Sequence, residues 1–282
     1  KGTFGQLLVV AGCKNYPGAA RLVAESAART GVGSVTLAAP ESIQSLLVAL
    51  PDISHIPLFD VDGYLGGRAA AEELLAELRT RSFKSILIGS GIGNNEDTVD
   101  FVRVFLSGLD EVVSDNFQGV VIDADGLNAL AVIENWRSLT NQEIIITPHL
   151  GEMATLSGLQ VDHIRQNKLM VSADYAQKWQ STVVLKGPGT VISNSNGDAR
   201  LSDSASSALS HAGTGDVLAG ITGGFLAQQI NSYDAASAAV YMHAEAARQV
   251  SEVYGDAATL ASDIVRALPD ARKLLDPPTA NI

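Results

Sequence analysis

Residues 212–220, AGTGDVLAG, place a carboxylate where a glycine-rich turn runs into an apolar helical stretch. Gly213, Thr214 and Gly215 lie at a predicted helix N-terminus, where unpaired amides and the helix dipole bind anions. Asp216 follows and can accept a proton from a substrate hydroxyl, and the dipole is expected to keep its basicity low. An anion hole beside such a carboxylate suits phosphoryl transfer to an alcohol. The alternative is that Asp216 only caps the helix.

A second candidate anion site is KGPGT, residues 186–190, which follows an apolar run. Lysine offers phosphate a compact charge, and the two glycines let backbone amides approach an anion. The spacing is not that of a P-loop. The alternative is a plain turn into the next strand.

Carboxylates and a histidine follow two other apolar runs. DADGLN offers Asp123, Asp125 and Asn128, which either cap a helix or act on Mg²⁺ and phosphate through a water shell. In TPHLGEM the preceding proline orients His149, which either binds a ligand or is satisfied structurally. Glu152 could equally cap the following helix.

These segments all begin where a predicted strand ends. The candidate strands are 7–11, 34–38, 85–88, 119–122, 143–146 and 182–185, and the helical patterns between them are 18–30, 69–79, 98–109 and 163–180. Unbroken apolar strands alternating with helices indicate a parallel sheet covered on both faces. Because ligands bind at the carboxyl ends of such strands, we expect the loops to form one site. There GSGIG, residues 89–93, either makes a tight turn or admits a flat ligand.

The last third of the chain differs in character. Residues 182–203 are typical of a strand, a turn and a strand, with Asn196-Gly197 as the hairpin signal. Three helices are predicted after Gly213, at 216–228, 233–253 and 261–275. Since no linker or internal repeat interrupts the chain, we expect one domain over residues 1–282.

The composition excludes several functional classes. The net charge is −12, and 46% of the residues are hydrophobic against 18% charged, which suits a packed globular domain and suits neither nucleic acid nor anionic membranes as a partner. The single cysteine, Cys13, leaves no intramolecular disulfide and fits a reducing compartment. No signal peptide or membrane span is evident. We therefore expect a cytoplasmic protein that acts on small molecules.

The ordered motifs resemble a known family. GTGD before a helix resembles the ribokinase-like superfamily, which implies a three-layer α/β fold whose central, mostly parallel sheet has helices on both faces. The motifs KGTFGQLLVVAGCKNYPGAA, GSGIG, DADGLN, TPHLGEM, VVLKGPGTVI and AGTGDVLAGITGGFLAQ resemble the ADP/ATP-dependent NAD(P)H-hydrate dehydratases over residues 1–248. The resemblance implies a repair lyase that phosphorylates the hydroxyl of the S epimer of hydrated NADH or NADPH. Loss of phosphate then restores NAD(P)H, and ADP or ATP with Mg²⁺ are the expected cofactors.

The resemblance also implies residue roles. The hydrated dinucleotide would contact Ala19, Gly91, His149 and Asp216, with Asp216 as the base. The adenine nucleotide would contact Lys186, Gly187, Pro188, Gly189, Thr190 and Gly215. The resemblance favours ADP over ATP as the donor, and a homo-oligomer with a tetramer favoured. The alanine-rich stretch 235–248 would be either its interface or part of the core.

Segment 205–212 departs from the family pattern, since Ser206 stands where asparagine is expected. We expect this departure to affect the nucleotide affinity or the reaction rate. Two alternatives stay open: a kinase of the same architecture for a small alcohol such as a vitamin precursor or sugar, and a nucleotide-binding sensor that has lost catalysis. The kinase shares GTGD, whereas TPHLGEM and KGPGT favour the dehydratase.

Overall fold

The structure, a computed structural model, describes residues 4–203 and 206–276. Residues 1–3 and 277–282 of the predicted domain, and Ala205 of the divergent segment, lie outside the described residues. The strands are β1 Gln6–Val10, β2 Ser34–Pro40, β3 Ser54–Leu58, β4 Asp60–Val61, β5 Tyr64–Leu65, β6 Ser85–Ile88, β7 Gly119–Ile122, β8 Ile144–Ile146, β9 Thr182–Leu185, β10 Val191–Ser193 and β11 Ala199–Leu201.

The helices lie between these strands and after the last of them. They are α1 Pro17–Ala28, α2 Gln44–Leu47, α3 Gly67–Leu78, α4 Glu96–Leu109, α5 Asp125–Val132, α6 Leu150–Ser157, α7 Val161–Gln166, α8 Lys168–Trp179, α9 Thr214–Ala227, α10 Ser232–Tyr254 and α11 Ala261–Lys273. Short 3₁₀ turns span Glu41–Ile43, Trp136–Leu139, Ser207–Ser210 and Asp256–Ala258.

Nine strands form one sheet in the order β11-β10-β9-β8-β7-β6-β1-β2-β3. In this order, the neighbouring strands from β9 to β3 pair in parallel, and the β9–β10 and β10–β11 pairs are antiparallel. Strands β4 and β5 form a separate antiparallel pair. Every residue of β6 and β7 is buried, as their unbroken apolar sequences require. The predicted mostly parallel sheet is therefore confirmed.

The direction of strand addition reverses between β1 and β6. The chain builds outward from β1 to β3 on one side and from β6 to β9 on the other. In an open sheet, this reversal leaves a crevice at the carboxyl ends of the two strands, where ligands bind. The loops after β1 and β6 lie there.

Helices cover both faces of the sheet. Leu7 and Val9 point to a core shared with α1, α9, α10 and α11, whereas Leu8 and Val10 point to a core shared with α3, α4, α5 and α8. The predicted three layers are therefore confirmed. None of the helices in the described ranges is both long enough and apolar enough to cross a membrane.

Glycine holds α9 close to α1. A Cβ atom added to Gly220 would lie 2.1 Å from Ser26 Oγ and 2.4 Å from the Val23 carbonyl oxygen. A side chain at this position would therefore push the two helices apart. The close contact fixes α9, whose first turn carries Asp216, against α1 in the same layer.

Several predicted elements differ from the structure, and one open alternative is decided by it. The single helix predicted over 163–180 is two helices, because Asn167 leaves the helical conformation at φ −125°. Strand β3 was not predicted, since it carries Pro57 and lies at the sheet edge, where proline is tolerated. The alanine-rich stretch 235–248 belongs to the core, since Ala235, Ala239 and Ala246 are fully buried within the chain.

Candidate active site

The loops after β1 and β6 meet the start of α1. The Gly12 N–H donates to the Ser90 carbonyl over 2.9 Å. Gly91 has φ +65°, and a Cβ atom added there would lie 2.7 Å from the Cβ atom of Ala19. The structure thus brings together Ala19 and Gly91, the first two predicted dinucleotide contacts, beside the exposed Tyr16.

Lys186 and Asp123 form a buried ion pair at the carboxyl ends of β9 and β7. Lys186 Nζ lies 2.8 Å from Asp123 Oδ1 and 3.7 Å from Glu152 Oε2. Asp123 is 1% exposed and also accepts a 2.6 Å hydrogen bond from the Thr147 hydroxyl. Burial opposes the ammonium charge, but the carboxylates of Asp123 and Glu152 together raise the pKa of Lys186 above its usual value. Lys186 is therefore a permanent, fixed cation.

The DADGLN carboxylates do not cap the next helix. The N-cap of α5 is Ala124, and no side chain caps it. Asp125 instead accepts the Gly93 N–H over 2.9 Å, and burial raises the pKa of its carboxyl group. The two aspartates therefore tie the β7 loop to the β6 loop and to Lys186.

Asp216 lies in the first turn of α9, near this cluster. The helix begins at Thr214 with Gly213 as its left-handed N-cap, so Asp216 is not the capping residue. Burial and then the negative charge of Asp123 raise the pKa of Asp216 to about 7, against a hydrogen bond with Ser90 and the charge of Lys186. The expectation that the dipole keeps its basicity low is wrong, because desolvation outweighs the dipole. A carboxylate with this pKa is well matched to taking a proton near neutral pH.

The predicted anion hole is altered at Thr214. Its N–H donates to the His211 carbonyl over 3.4 Å, and its hydroxyl donates to the Leu209 carbonyl over 2.7 Å. The N–H and hydroxyl groups of Thr214 therefore hold the preceding turn, so Thr214 contributes less to binding an anion. A Cβ atom added to Gly215 would lie 3.3 Å from Lys186 Nζ, so the fixed cation reaches the first turn of α9. Unpaired first-turn amides and Lys186 together form the positive end of the site.

A pocket of about 280 Å³ opens beside this positive end. It is lined by Lys186, Gly187, Pro188, Thr190, Ser206, Ser207, Leu209, Ser210, Thr214, Gly215, Leu218 and His243. Five of the six residues predicted to contact the nucleotide are in this set, and Gly189 is not. Ser206, which replaces the expected asparagine, is also on the wall, where its hydroxyl accepts the Ala208 N–H over 3.2 Å.

Lys168 is a residue of this region that sequence reasoning missed. Its Nζ donates to the carbonyl oxygens of Pro188 (3.0 Å) and Gly189 (2.6 Å), so the first residue of α8 holds the KGPGT loop. Burial lowers the pKa of Lys168. No motif marked this lysine, because its partners are backbone atoms about twenty residues away.

Replacing Lys168 with methionine should weaken nucleotide affinity about tenfold, since two hydrogen bonds that shape the loop are lost. Calorimetric titration with ADP measures the change. Lys178→Met, at an exposed position of the same helix, is the matched control. Equal affinities for the two variants would show that the loop does not depend on Lys168.

His149 is neither in the core nor free, since it caps α6. Its side chain is 61% exposed, and its Nδ1 accepts the N–H groups of Gly151 (2.9 Å) and Glu152 (3.1 Å). Glu152 completes the capping box by accepting the His149 N–H over 2.7 Å. The capping role foreseen for Glu152 is confirmed, and His149 shares it. Because Glu152 also approaches Lys186, this cap places the exposed imidazole edge beside the Lys186–Asp123 ion pair.

Two His149 variants separate capping from ligand binding. His149→Asn keeps a capping oxygen, so we expect an unchanged melting temperature and weaker binding of the hydrated dinucleotide. His149→Ala should lose the same affinity and also about 1 kcal/mol of stability. Thermal melts and dinucleotide titrations measure both effects. Full dinucleotide affinity in His149→Asn would leave His149 with the capping role alone.

The side chains around Lys186 provide few ligands for a metal ion. Within the described part of the chain, no group of three or more His, Cys, Asp or Glu side chains could hold a metal ion. Mg²⁺ in phosphoryl-transfer sites is commonly held by one or two carboxylates together with substrate phosphates and water. Asp123 and Glu152 fit that smaller role.

The chain matches the NAD(P)H-hydrate dehydratase family over residues 7–270. It is 33% identical over 272 residues to the bifunctional NAD(P)H-hydrate repair enzyme Nnr of Moorella thermoacetica, covering 95% of this chain and 49% of that one. It is 30% identical over 272 residues to the ADP-dependent (S)-NAD(P)H-hydrate dehydratase of Bacillus subtilis, covering 95% of this chain and 89% of that one. The chain thus spans about half the length of the bifunctional relatives.

A solved structure agrees with these sequence matches. It is that of the Bacillus subtilis ADP/ATP-dependent NAD(P)H-hydrate dehydratase co-crystallised with ATP and Mg²⁺, with a TM-score of 0.82 and 28% identity over 98% of this chain and 91% of that one. The predicted ribokinase-like fold is confirmed. The chain belongs to the NAD(P)H-hydrate dehydratase family.

Proposed function

We propose that this protein dehydrates the S epimer of hydrated NADH or NADPH at the expense of ADP or ATP and thereby restores NAD(P)H. The observation that carries the proposal is the meeting of three groups at one crevice. These are the fixed cation Lys186, the first turn of α9, and the Asp216 carboxylate with its pKa raised to about 7. The family membership supports the same assignment.

In the proposed mechanism, the nucleotide phosphates bind between Lys186 and the N-terminus of α9. The hydroxyl oxygen on the hydrated nicotinamide ring attacks the terminal phosphorus, and the bond from that phosphorus to the rest of the nucleotide breaks. Asp216 takes the hydroxyl proton as that bond forms. Loss of the phosphate, together with a proton from the neighbouring ring carbon, restores the double bond.

The two ligands are proposed to lie on opposite sides of Asp216. The surface formed by Gly91 and Ala19 would receive the nicotinamide end of the dinucleotide, with the exposed edge of His149 nearby. The pocket beside Lys186 and Gly215 would receive the nucleotide. Mg²⁺ entering with the phosphates would supply charge neutralisation, with Asp123 and Glu152 as its protein partners.

Incubation with hydrated NADH and either ADP or ATP tests the proposal. Return of NADH absorbance together with stoichiometric phosphate release would support it, and comparison of the two nucleotides identifies the donor. A stable phosphorylated alcohol in place of NADH would indicate a kinase. Nucleotide binding without turnover would indicate a sensor.

The pH dependence should report the ionisation of Asp216. The group must be charged to accept a proton, and its pKa is raised to about 7, so kcat/KM should fall as the pH drops below 7. Asp123→Asn removes a negative charge that raises this pKa and should shift the acidic limb to lower pH. Rate measurements from pH 5 to 9 check both curves. A limb that stays in place in Asp123→Asn would show that Asp216 is not the titrating group.

We also propose that the protein forms a homo-oligomer, with a tetramer favoured. The C-terminal side exposes large apolar residues, including Tyr241, Val253, Tyr254 and Leu260. Exposed large apolar side chains of this kind are candidates for contacts between subunits. Sedimentation measurements test the oligomeric state.

A further inference from the structure

His243 lies on the wall of the nucleotide pocket and has no role in the mechanism above. It projects from α10, is 6% exposed, and lines the same pocket as Lys186 and Thr214. Its neighbours on the buried face of α10 are mainly alanines, such as Ala239, Ala246 and Ala247. A histidine among them is therefore the polar exception on an otherwise apolar face.

The Nε2 atom of His243 is buried and makes no hydrogen bond with any residue in the ranges 4–203 and 206–276. A buried polar atom without a partner lowers stability, so such atoms are rare in native proteins. One other histidine nitrogen, Nδ1 of His55, shares this property in the same ranges. His55 is on the edge strand β3 and is not among the residues that line the pocket.

The His243 imidazole is uncharged near neutral pH. Burial and then the positive charge of Lys186 lower its pKa to about 4. A neutral imidazole offers both a hydrogen-bond donor and an acceptor. It can therefore hydrogen-bond to a polar group of a ligand without adding a second positive charge to that of Lys186.

We propose that His243 is a nucleotide-binding residue whose Nε2 gains its missing hydrogen bond from the bound adenine nucleotide. His243 lines the same pocket as Lys186 and Gly215, so a molecule bound in this pocket lies beside all three residues. The stability lost through the unpaired atom is then recovered on binding. This inference rests on the proposed nucleotide site.

The proposal predicts effects of opposite sign on stability and affinity. His243→Phe removes the unpaired nitrogen and fills its space, so the nucleotide-free protein should melt at an equal or higher temperature. Its affinity for ADP should fall roughly fivefold to tenfold, the equivalent of one net hydrogen bond. His243→Gln, which retains a terminal donor and acceptor, should restore most of that affinity. If phenylalanine prevents folding, His243→Leu makes the same comparison.

Calorimetric titration with ADP and with ATP, and melting curves without nucleotide, measure these effects. His55→Phe is the matched control and should leave the affinity at the wild-type value. Wild-type affinity in His243→Phe overturns the proposal, as does a lower melting temperature with no rescue of affinity in His243→Gln.

Lys186→Met separates this inference from the proposed function. If the wild type binds ADP and Lys186→Met binds it at least about tenfold more weakly, the nucleotide site stands, and the His243 variants alone decide the inference. If the wild type fails to bind either nucleotide, both are rejected. Titration with 2′-deoxy-ADP then identifies the group that meets His243: an equal loss in wild type and His243→Phe excludes the 2′-hydroxyl, and a smaller loss in the variant assigns it.

Discussion

Replacing Asp216 with asparagine is expected to lower turnover by roughly 10²–10⁴-fold, the usual range for a lost general base. Asparagine keeps the size of the side chain but cannot take the substrate proton. Because the N-cap of α9 is Gly213, the substitution leaves the cap intact, and the variant should bind ADP with wild-type affinity. The rate of NADH formation from the hydrate, together with an ADP titration, measures the two effects separately.

The same variant should be more stable than the wild type at alkaline pH. Folding raises the pKa of Asp216 from 3.8 to about 7, so the folded state holds a proton that the unfolded state releases. The stability that this proton contributes is complete below pH 3.8 and is lost as the pH rises through 7. Asparagine does not ionise, so the variant does not lose this stability as the pH rises. Melting curves at pH 5 and pH 8 should show a gain for Asp216→Asn that is larger at pH 8.

Asp174→Asn, an exposed aspartate on α8, is the control for both measurements. It should change neither the turnover nor the pH dependence of stability. Substantial activity in Asp216→Asn would reduce Asp216 to a residue of the helix start and would remove the basis of the mechanism.

Replacing Lys186 with methionine is expected to weaken nucleotide affinity by at least about tenfold and also to destabilise the fold. Its Nζ is the cation between Asp123 and Glu152, whose carboxylates are 1% and 10% exposed. Breaking a buried ion pair by removing one partner costs about 3–5 kcal/mol. The loss should be larger at pH 8 than at pH 5, because burial raises the pKa of Glu152 and its unpaired carboxyl group takes up a proton more readily at the lower pH.

Denaturant unfolding at the two pH values and an ADP titration check this result. Lys186→Arg keeps the positive charge and should recover most of the stability, while its different geometry leaves nucleotide binding impaired. Equal stability of Lys186→Met at both pH values would contradict the ion-pair account. Unchanged ADP affinity would contradict the proposed nucleotide site.

Much of the fold could be predicted because the buried strands carry unbroken apolar runs. The predicted strands 85–88, 119–122 and 182–185 coincide with β6, β7 and β9. Edge elements could not be predicted in this way. β3 contains Pro57 and exposed positions, and the break at Asn167 lacks a glycine or proline signal.

The order of motifs along the chain determined which residues would meet. The loops after β1, β6, β7 and β9 had to converge, because the carboxyl ends of parallel strands lie at one edge of the sheet. The resemblance to the family, and not this reasoning, implied that Ala19 and Gly91 share one site and Lys186 and Gly215 another, and in the structure the members of each pair lie side by side.

Only the tertiary structure decided how these groups behave. Burial raises the pKa of Asp216 where the helix dipole alone predicted the opposite, and the pairing with Asp123 makes Lys186 a fixed cation. Lys168 belongs to the site because it hydrogen-bonds to backbone carbonyl groups of the KGPGT loop. His243 belongs to it because it lines the buried wall of the pocket. No local sequence pattern indicates either contact. Desolvation and long-range charge depend on what the folded chain places around each group. A linear sequence determines the chemical groups, and the packing around them determines their protonation and partners.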